Sequence, residues 1–176
     1  MSLTLGTAKA SPGKIKYGVF DLVAHPTGGA DKLPVILAQG DPRGPVFWVT
    51  ASIHGPEHAG IQVIHQLITR DLVKNLHGTV VAIPTLNPAG VRTAARAPYY
   101  LAGGDPNRLF PDGKARRQPD PDDNPPSALE RAYARLFGEI KASADLMVDL
   151  HNWPGSISFV FRDTVFYRND RSTARA

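Results

Sequence analysis

The fold is decided by the stretch Val46-Phe47-Trp48-Val49-Thr50-Ala51-Ser52-Ile53-His54-Gly55-Pro56-Glu57-His58. Its apolar, β-branched run from Val46 to Ile53 is typical of a central strand that is covered on both faces of a sheet. Gly55-Pro56 then interrupts the run, and we expect a helix to start at the proline, whose missing N–H would have no partner in a first helical turn. His54 and Glu57 therefore lie at the carboxyl end of a buried strand, where open α/β sheets place their ligands.

A second strand of this kind also ends in a histidine, in the run Asp145-Leu146-Met147-Val148-Asp149-Leu150-His151. His54, Glu57 and His151 together make a His₂Glu set, which is one of the ligand sets of catalytic zinc and leaves a fourth position open. His58 offers a rival pair with His54, although the helix expected between them spoils the usual spacing. Because the chain has no Cys, any metal must take nitrogen and oxygen ligands.

Further strands and helices are predicted on both sides of this core. The predicted strands are Lys14–Val23, Leu33–Ala38, Thr79–Leu86 and Ile157–Phe161. One amphipathic helix is expected from Pro56 to about Val73, with an apolar face that includes Ile64 and Ile68. A second helix should begin at a capping box formed by Ser127 and Glu130.

The segments between these elements are rich in Gly, Pro, Asp and Arg. Asn87-Pro88-Ala89-Gly90 is expected to form a turn at a strand end. From 91 to 124 there is little periodicity, and a loop of this length inside a compact domain is usually functional or disordered. We expect 113–126 to be a mobile loop and 164–176 to be an irregular tail.

The composition limits the class of protein. The 176 residues suit one domain, 1–176, and 42% hydrophobic with 20% charged residues is typical of a folded globular chain. No apolar run approaches the ~20 residues of a membrane span, and the N-terminus does not read as a signal peptide. The net charge of +4 comes without a basic, aromatic-interleaved stripe. We therefore expect a cytoplasmic protein with no nucleic-acid or membrane partner and leave its oligomeric state open.

The chain resembles the succinylglutamate desuccinylase/aspartoacylase family, relatives of the zinc carboxypeptidases, over roughly residues 45 to 155. The resemblance is carried by several motifs in the family's order: His54-Gly55-Pro56-Glu57, Asn87-Pro88-Ala89-Gly90, Arg96, Asp105-Pro106-Asn107-Arg108-Leu109-Phe110-Pro111 and Asp149-Leu150-His151. Pro106 stands where the family usually has Leu, and Gly103-Gly104 precedes it, so the local backbone is expected to differ.

The resemblance implies a role for each motif residue. His54, Glu57 and His151 would bind one Zn²⁺, and Asp105 would orient His54. Arg96 would hold the scissile carbonyl oxygen as negative charge develops, with Arg92 as an alternative. The pair Asn107 and Arg108 would bind a carboxylate of a small-molecule substrate, a task suited to the planar guanidinium.

The resemblance also implies a fold and an activity. The fold would be a three-layer αβα sandwich around a mixed, mostly parallel sheet, incomplete at the C-terminus. The activity would be zinc-dependent hydrolysis of an N-acyl amino acid by metal-activated water. Family members run further and supply a general-base glutamate there; of the chain's other glutamates, Glu130 caps a helix and Glu139 shares that helix. A truncated member is therefore expected, and two alternatives stay open: a carboxypeptidase acting on peptides, and a catalytically impaired zinc- or carboxylate-binding remnant.

Overall fold

The computed structural model describes residues 3–101, 104–109 and 125–152, and the backbone of 167–168. The predicted strand Ile157–Phe161 lies outside these residues, as do 113–124 of the predicted mobile loop and most of the predicted tail 164–176. The assignment of 1–176 to one catalytic domain stays a prediction.

Eight strands lie in the described residues. They are β1 (Thr4–Leu5), β2 (Ala8–Lys9), β3 (Lys14–Ala24), β4 (Ala30–Gln39), β5 (Asp41–Ala51), β6 (His77–Ile83), β7 (Leu146–Leu150) and β8 (Tyr167–Arg168). β1 and β2 form a small antiparallel pair, and the other six form one sheet in the order β3-β4-β6-β5-β7-β8. The predicted central strand, β5, therefore lies inside the sheet between β6 and β7.

The sheet is mixed, as predicted. β5 runs parallel to both β6 and β7, whereas β3–β4, β4–β6 and β7–β8 are antiparallel. Within the described residues, parallel pairing is thus limited to β5, β6 and β7, a smaller share than the mostly parallel sheet that we expected. The reason is local for β3 and β4, because the tight turn 25–29 that joins them permits only an antiparallel hairpin.

Helices cover both faces of the sheet, which gives the three layers. They are α1 (Ala59–Leu67), α2 (Leu72–Asn75), α3 (Pro88–Thr93) and α4 (Ala128–Ser143), with a 3₁₀ turn at Pro106–Arg108. Leu136 and Ile140 of α4 pack in one core cluster with Trp48, while Ile64 of α1 packs in a second cluster with Val49. Trp48 and Val49 point to opposite faces because side chains alternate along a strand. Across the described residues, no helix combines the length and apolarity of a membrane span.

The first helix is shorter than predicted at both ends. It begins at Ala59 rather than at Pro56, and it ends at Leu67 because Ile68 leaves helical geometry. Thr69 then starts a new turn by accepting a hydrogen bond from the Leu72 N–H, and α2 follows. Ile64 and Ile68 are buried as expected.

Two smaller expectations have different outcomes. Asn87-Pro88-Ala89-Gly90 does not form a simple turn: Asn87 is the N-cap of α3, and its side chain accepts a hydrogen bond from the Gly90 N–H at 2.8 Å. The capping box of Ser127 and Glu130 is confirmed at the start of α4.

Candidate metal centre

Three side chains from two strand ends meet at the carboxyl edge of the parallel strands. Nδ1 of His54 lies 2.8 Å from one Glu57 carboxylate oxygen, and Nδ1 of His151 lies 2.9 Å from the other. One potential ligand atom from each of the three residues lies within 4.8 Å of the other two. His54 and Glu57 are buried, at 4% and 5% exposure, and His151 is partly buried. The structure thus brings together the three residues of the predicted ligand set.

The chain after β5 is held in a tight bend that aims His54 at this point. Ser52, fully buried, adopts a φ of 53°, a left-handed conformation that is uncommon for a residue other than glycine. Gly55 passes so close to α3 that a Cβ would lie 2.2 Å from backbone atoms of Gly90. The Asn87 side-chain amide donates to the Ile53 carbonyl at 3.1 Å. These contacts fix the backbone on either side of His54.

Each imidazole is held from behind by an aspartate. Nε2 of His54 lies 2.9 Å from Asp105 Oδ1, and Nε2 of His151 lies 2.8 Å from Asp149 Oδ2. Asp149 in turn accepts a hydrogen bond at 2.7 Å from the buried Thr50 hydroxyl. Histidines that bind metals usually donate their other ring N–H to such a carboxylate, which fixes the tautomer and the ring orientation.

This arrangement fits a divalent cation. A neutral imidazole carries one proton, so an Nε2–H that donates to aspartate leaves a lone pair on Nδ1. In both histidines that lone pair faces an acceptor oxygen of Glu57, and two facing acceptors repel unless a proton or a metal cation lies between them. Two imidazole nitrogens and one carboxylate oxygen are a known donor set for catalytic zinc.

Without an ion, protons on the imidazoles can take the place of the cation beside Glu57. Burial alone would raise the pKa of Glu57, but hydrogen bonds to His151 and His54 outweigh it and hold the pKa at about 2. Hydrogen bonds to Asp149 and then Glu57 raise the pKa of His151 to about 10. Burial opposes ionisation of Asp105 as well, yet the contacts with His54 and Arg96 bring its pKa to about 2. Glu57 and Asp105 therefore stay anionic at neutral pH, and the centre attracts cations.

The two arginines of the α3 region have different surroundings. The guanidinium of Arg96 is 57% exposed and donates to Asp105 Oδ2 at 2.9 Å, so it lies one carboxylate away from His54. Arg92 instead donates to Asp31 at 2.5 Å, on β4. Of the two arginines considered for the electrophile, this geometry favours Arg96.

The predicted substrate residues lie on the 3₁₀ turn beside Asp105. The Asn107 backbone N–H donates to Asp105 Oδ1 at 2.9 Å, and Arg108 is exposed at the end of the turn. Pro106 occupies the first position of this turn, where its lack of an N–H is tolerated. Within the described residues, no hydrogen bond joins the side chain of Asn107 or Arg108 to the histidines.

Other candidate groups lie away from the centre. His58, the rival ligand, is exposed at the N-cap of α1 and is not part of the cluster. Glu130 is bonded to the backbone of Ser127, and Glu139 is exposed on α4. Among the glutamates of the described residues, only Glu57 lies at the centre.

Several supporting residues were not identified from the sequence. Thr50, Asn87, Asp31 and Tyr100 all hold the surroundings of the centre through side-chain hydrogen bonds. A signal was present for Thr50 and Asp149, since each is polar in an otherwise apolar strand. For Asp31 and Tyr100 the contacts join positions 69 residues apart, and no local pattern encodes them.

The chain is also similar in sequence to known proteins. The model of the succinylglutamate desuccinylase/aspartoacylase catalytic domain matches residues 43–174. The N-alpha-acetyl-L-2,4-diaminobutyric acid deacetylase of Halomonas elongata is 29% identical over 125 residues, which are 70% of this chain and 33% of the deacetylase.

Solved structures have the same fold. An aspartoacylase family protein from Mesorhizobium loti matches with a TM-score of 0.60 and 24% identity, over 85% of this chain and 44% of that one. The product-bound ectoine utilization protein EutE (DoeB) of Ruegeria pomeroyi matches with a TM-score of 0.56 and 22% identity, over 79% and 39%. The chain therefore spans between a third and a half of the length of these relatives.

Proposed function

Because the chain belongs to the succinylglutamate desuccinylase/aspartoacylase family, we propose that it serves in a zinc-dependent hydrolase that cleaves the amide bond of an N-acyl amino acid. One observation carries the proposal: His54, Glu57 and His151 converge with both Nδ1 atoms facing the Glu57 carboxylate and both Nε2 atoms on aspartates. Its substrate would be a small carboxylate.

The three residues would hold the ion through two imidazole nitrogens and one carboxylate oxygen. When bound, zinc supplies Lewis acidity, which lowers the pKa of water to about 7 and polarises a carbonyl group. Asp105 and Asp149 would keep the imidazole protons on Nε2, so that the Nδ1 lone pairs remain available. They would also fix the ring planes, which holds the donor atoms in place between turnovers.

Arg96 would stabilise the negative charge that develops on the carbonyl oxygen. A guanidinium has five N–H donors, so Arg96 can donate to the substrate while it keeps its contact with Asp105. Where donors of this kind have been removed from other enzymes, the rate falls by roughly 10²–10³. Asn107 and Arg108 would bind the carboxylate of the substrate from the neighbouring turn.

The proton acceptor of the reaction is not assigned to a described residue. Glu57 is committed to the centre, while Glu130 and Glu139 lie elsewhere. General acid–base groups contribute about 10²–10⁴ to a rate. We therefore expect slow turnover by this chain unless residues outside the described ranges supply the acceptor.

The test is to purify the chain, measure zinc per chain by mass spectrometry, and assay the release of primary amine. N-alpha-acetyl-L-2,4-diaminobutyric acid is the first substrate to assay, since the related deacetylase is named for it. We expect one zinc per chain and faster hydrolysis of N-acetyl amino acids than of dipeptides.

The other outcomes separate the alternatives. Faster cleavage of dipeptides would favour a carboxypeptidase. One bound zinc without any hydrolysis would indicate a binding remnant, and a chain that takes up no zinc would overturn the proposal. His65→Ala serves as the control, because His65 is exposed on α1 and outside the cluster.

A further inference from the structure

A buried carboxylate, Asp31, lies at the start of β4, away from the three clustered ligands. It is 4% exposed, and both of its oxygens are engaged. Arg92 of α3 donates to Oδ1 at 2.5 Å, and the Tyr100 hydroxyl donates to Oδ2 at 2.8 Å. His25 at the end of the β3–β4 hairpin approaches Oδ2 at 3.7 Å. Three separate parts of the chain therefore meet at one carboxylate.

Asp31 lies at the same edge of the sheet as the metal centre. β4 is antiparallel to β6, and Ile36 pairs with Ala82, next to the last residue of β6. Asp31 precedes Ile36 by five residues, so this end of β4 extends beyond the carboxyl end of β6. The metal centre lies at the carboxyl ends of the parallel strands.

Tyr100 links Asp31 to the part of the chain that carries Arg96 and Asp105, of which Asp105 contacts His54 and Arg96 contacts Asp105. Arg96 precedes Tyr100 by four residues and Asp105 follows it by five. A fully extended chain spans at most ~3.6 Å per residue, so anchoring Tyr100 limits the positions open to both. The chain before Tyr100 is anchored too, since the Asn87 side-chain amide donates to the Arg96 carbonyl at 3.2 Å.

The geometry points to Asp31 as a positioning residue, which together with Arg92 and Tyr100 holds the segment 94–101. In this position Asp105 remains hydrogen-bonded to His54, and Arg96 remains hydrogen-bonded to Asp105. This inference rests on the proposed function of the metal centre. It adds a residue that lies outside the 43–174 region matched by the family model.

The chemistry of the contact supports a fixed role. A buried carboxylate is costly unless it is paired and hydrogen-bonded, and the Arg92 guanidinium and the Tyr100 hydroxyl supply both. Burial and then the contact with Asp31 raise the pKa of Tyr100, so its hydroxyl keeps its proton and remains a donor. Tyr99 packs edge-on against Tyr100, with ring centroids 5.0 Å apart, which further restricts the ring.

The first test measures zinc affinity of the full chain by competition with a chromophoric chelator. Asp31→Asn removes no ligand, yet we expect it to weaken zinc binding by about tenfold, the lower end of the effect of changing a partner of a metal-binding histidine. Tyr100→Phe, which removes one donor and keeps the ring, should have a smaller effect. Glu130→Gln is the control, because Glu130 is equally buried but caps α4.

A double-mutant cycle separates positioning from general destabilisation. If Asp31 acts through Asp105, Asp31→Asn should change zinc affinity by less than about twofold in an Asp105→Asn background. Equal losses in both backgrounds would overturn the inference. So would an Asp31→Asn chain that binds zinc as tightly as the unaltered one.

A second measurement does not depend on zinc. In the metal-free chain, the Leu101 N–H donates to the Pro98 carbonyl at 2.9 Å, and Asp31→Asn should speed its hydrogen exchange more than that of amides in β6. Unchanged exchange at Leu101 would overturn the inference whatever the metal result. A different pair of results would overturn the proposed function instead: no zinc bound by the unaltered chain, together with faster Leu101 exchange in the Asp31→Asn chain.

Discussion

The two imidazoles of the centre are held by supports of different kinds. We call Thr50, Asp149 and His151 the strand arm, and Arg96, Asp105 and His54 the loop arm. In both arms an aspartate lies 2.8–2.9 Å behind the imidazole and Glu57 lies 2.8–2.9 Å in front of it. The arms differ in what fixes the aspartate.

In the strand arm, the pairing of β5 and β7 fixes the position of Asp149. Thr50 and Asp149 are register partners in the parallel pairing of β5 and β7, and the hydrogen bond between their side chains follows from that register. Asp149 also lies in β7, and the histidine that it supports directly follows the last residue of that strand. Asp149 cannot easily move by itself, because the residues on either side of it are also paired with β5.

In the loop arm, the aspartate comes from irregular chain. Asp105 lies at the start of the 3₁₀ turn, its side chain is 25% exposed compared with 12% for Asp149, and it also bonds the exposed Arg96. The comparison suggests a division of work: the strand arm provides a preformed site, and the loop arm links that site to the residue that would meet the substrate.

The largest expected effect comes from the residue that both arms share. Glu57→Ala should reduce bound zinc from one equivalent to none, because it removes a ligand and, among the described residues, the only carboxylate that contacts both imidazoles. His54→Ala and His151→Ala should do the same. Zinc content by mass spectrometry measures this.

Matched histidine variants complete that experiment. His58→Ala, His65→Ala and His77→Ala should keep full zinc content, since all three side chains are exposed. Retention of zinc by His151→Ala would contradict the ligand assignment, and loss of zinc from His58→Ala would revive the rival pair.

The second prediction compares the arms directly. Asp149→Asn should weaken zinc binding by roughly 10–100-fold, as is usual for such partners. Asp105→Asn should weaken it less, because a loop residue can readjust, but should also free Arg96 from its ion pair. Chelator competition gives both affinities, and a larger loss for Asp105→Asn would reverse the proposed division of work.

The third prediction concerns pH and the strand arm. In the metal-free chain the pKa of His151 is raised to about 10, so the stability that its charge contributes is complete below its usual value of 6.5 and is lost as pH rises towards 10. The melting temperature of the metal-free chain should fall over this range. The stabilisation gained on adding zinc should rise over the same range, because zinc requires the unprotonated nitrogen. A His151→Ala chain should lack both trends, and a metal-free melting temperature that rises between pH 6.5 and 10 would contradict the assignment.

The sequence predicted where both histidines lie, but not the Thr50 hydroxyl in the strand arm or the bond between Arg96 and Asp105 in the loop arm. β5, β7 and the two histidines at their ends follow from apolar runs with polar residues at their termini, and parallel strands bring such ends to one edge. The capping box of α4 is likewise a local pattern, and it was predicted to the residue.

What was missed depends on contacts between distant parts of the chain or on small differences in local energy. The break at Ile68 is of the second kind, since the apolar periodicity continues through it into α2. The Asp31–Tyr100 contact is of the first kind. The resemblance to the family supplied Asp105 and Arg96, but the bond between them was visible only in the structure.

The smallest expected effect tests whether register alone fixes the strand arm. Thr50→Val keeps the β-branched shape and removes the hydroxyl that donates to Asp149. A single hydrogen bond contributes about 1 kcal/mol, so zinc affinity should fall by roughly fivefold.

Thr79→Val is the matched control for this experiment. Thr79 is also buried in the sheet, on β6, and its hydroxyl accepts a hydrogen bond from Gln39 at 2.9 Å. It pairs with Val46, near the start of the parallel part of β5, whereas Thr50 lies at the end beside the centre. Both variants should lower the melting temperature, but only Thr50→Val should weaken zinc binding. Equal zinc affinity in the two variants would mean that the strand register holds Asp149 without help from the hydroxyl. Thr50 would then no longer count as part of the strand arm.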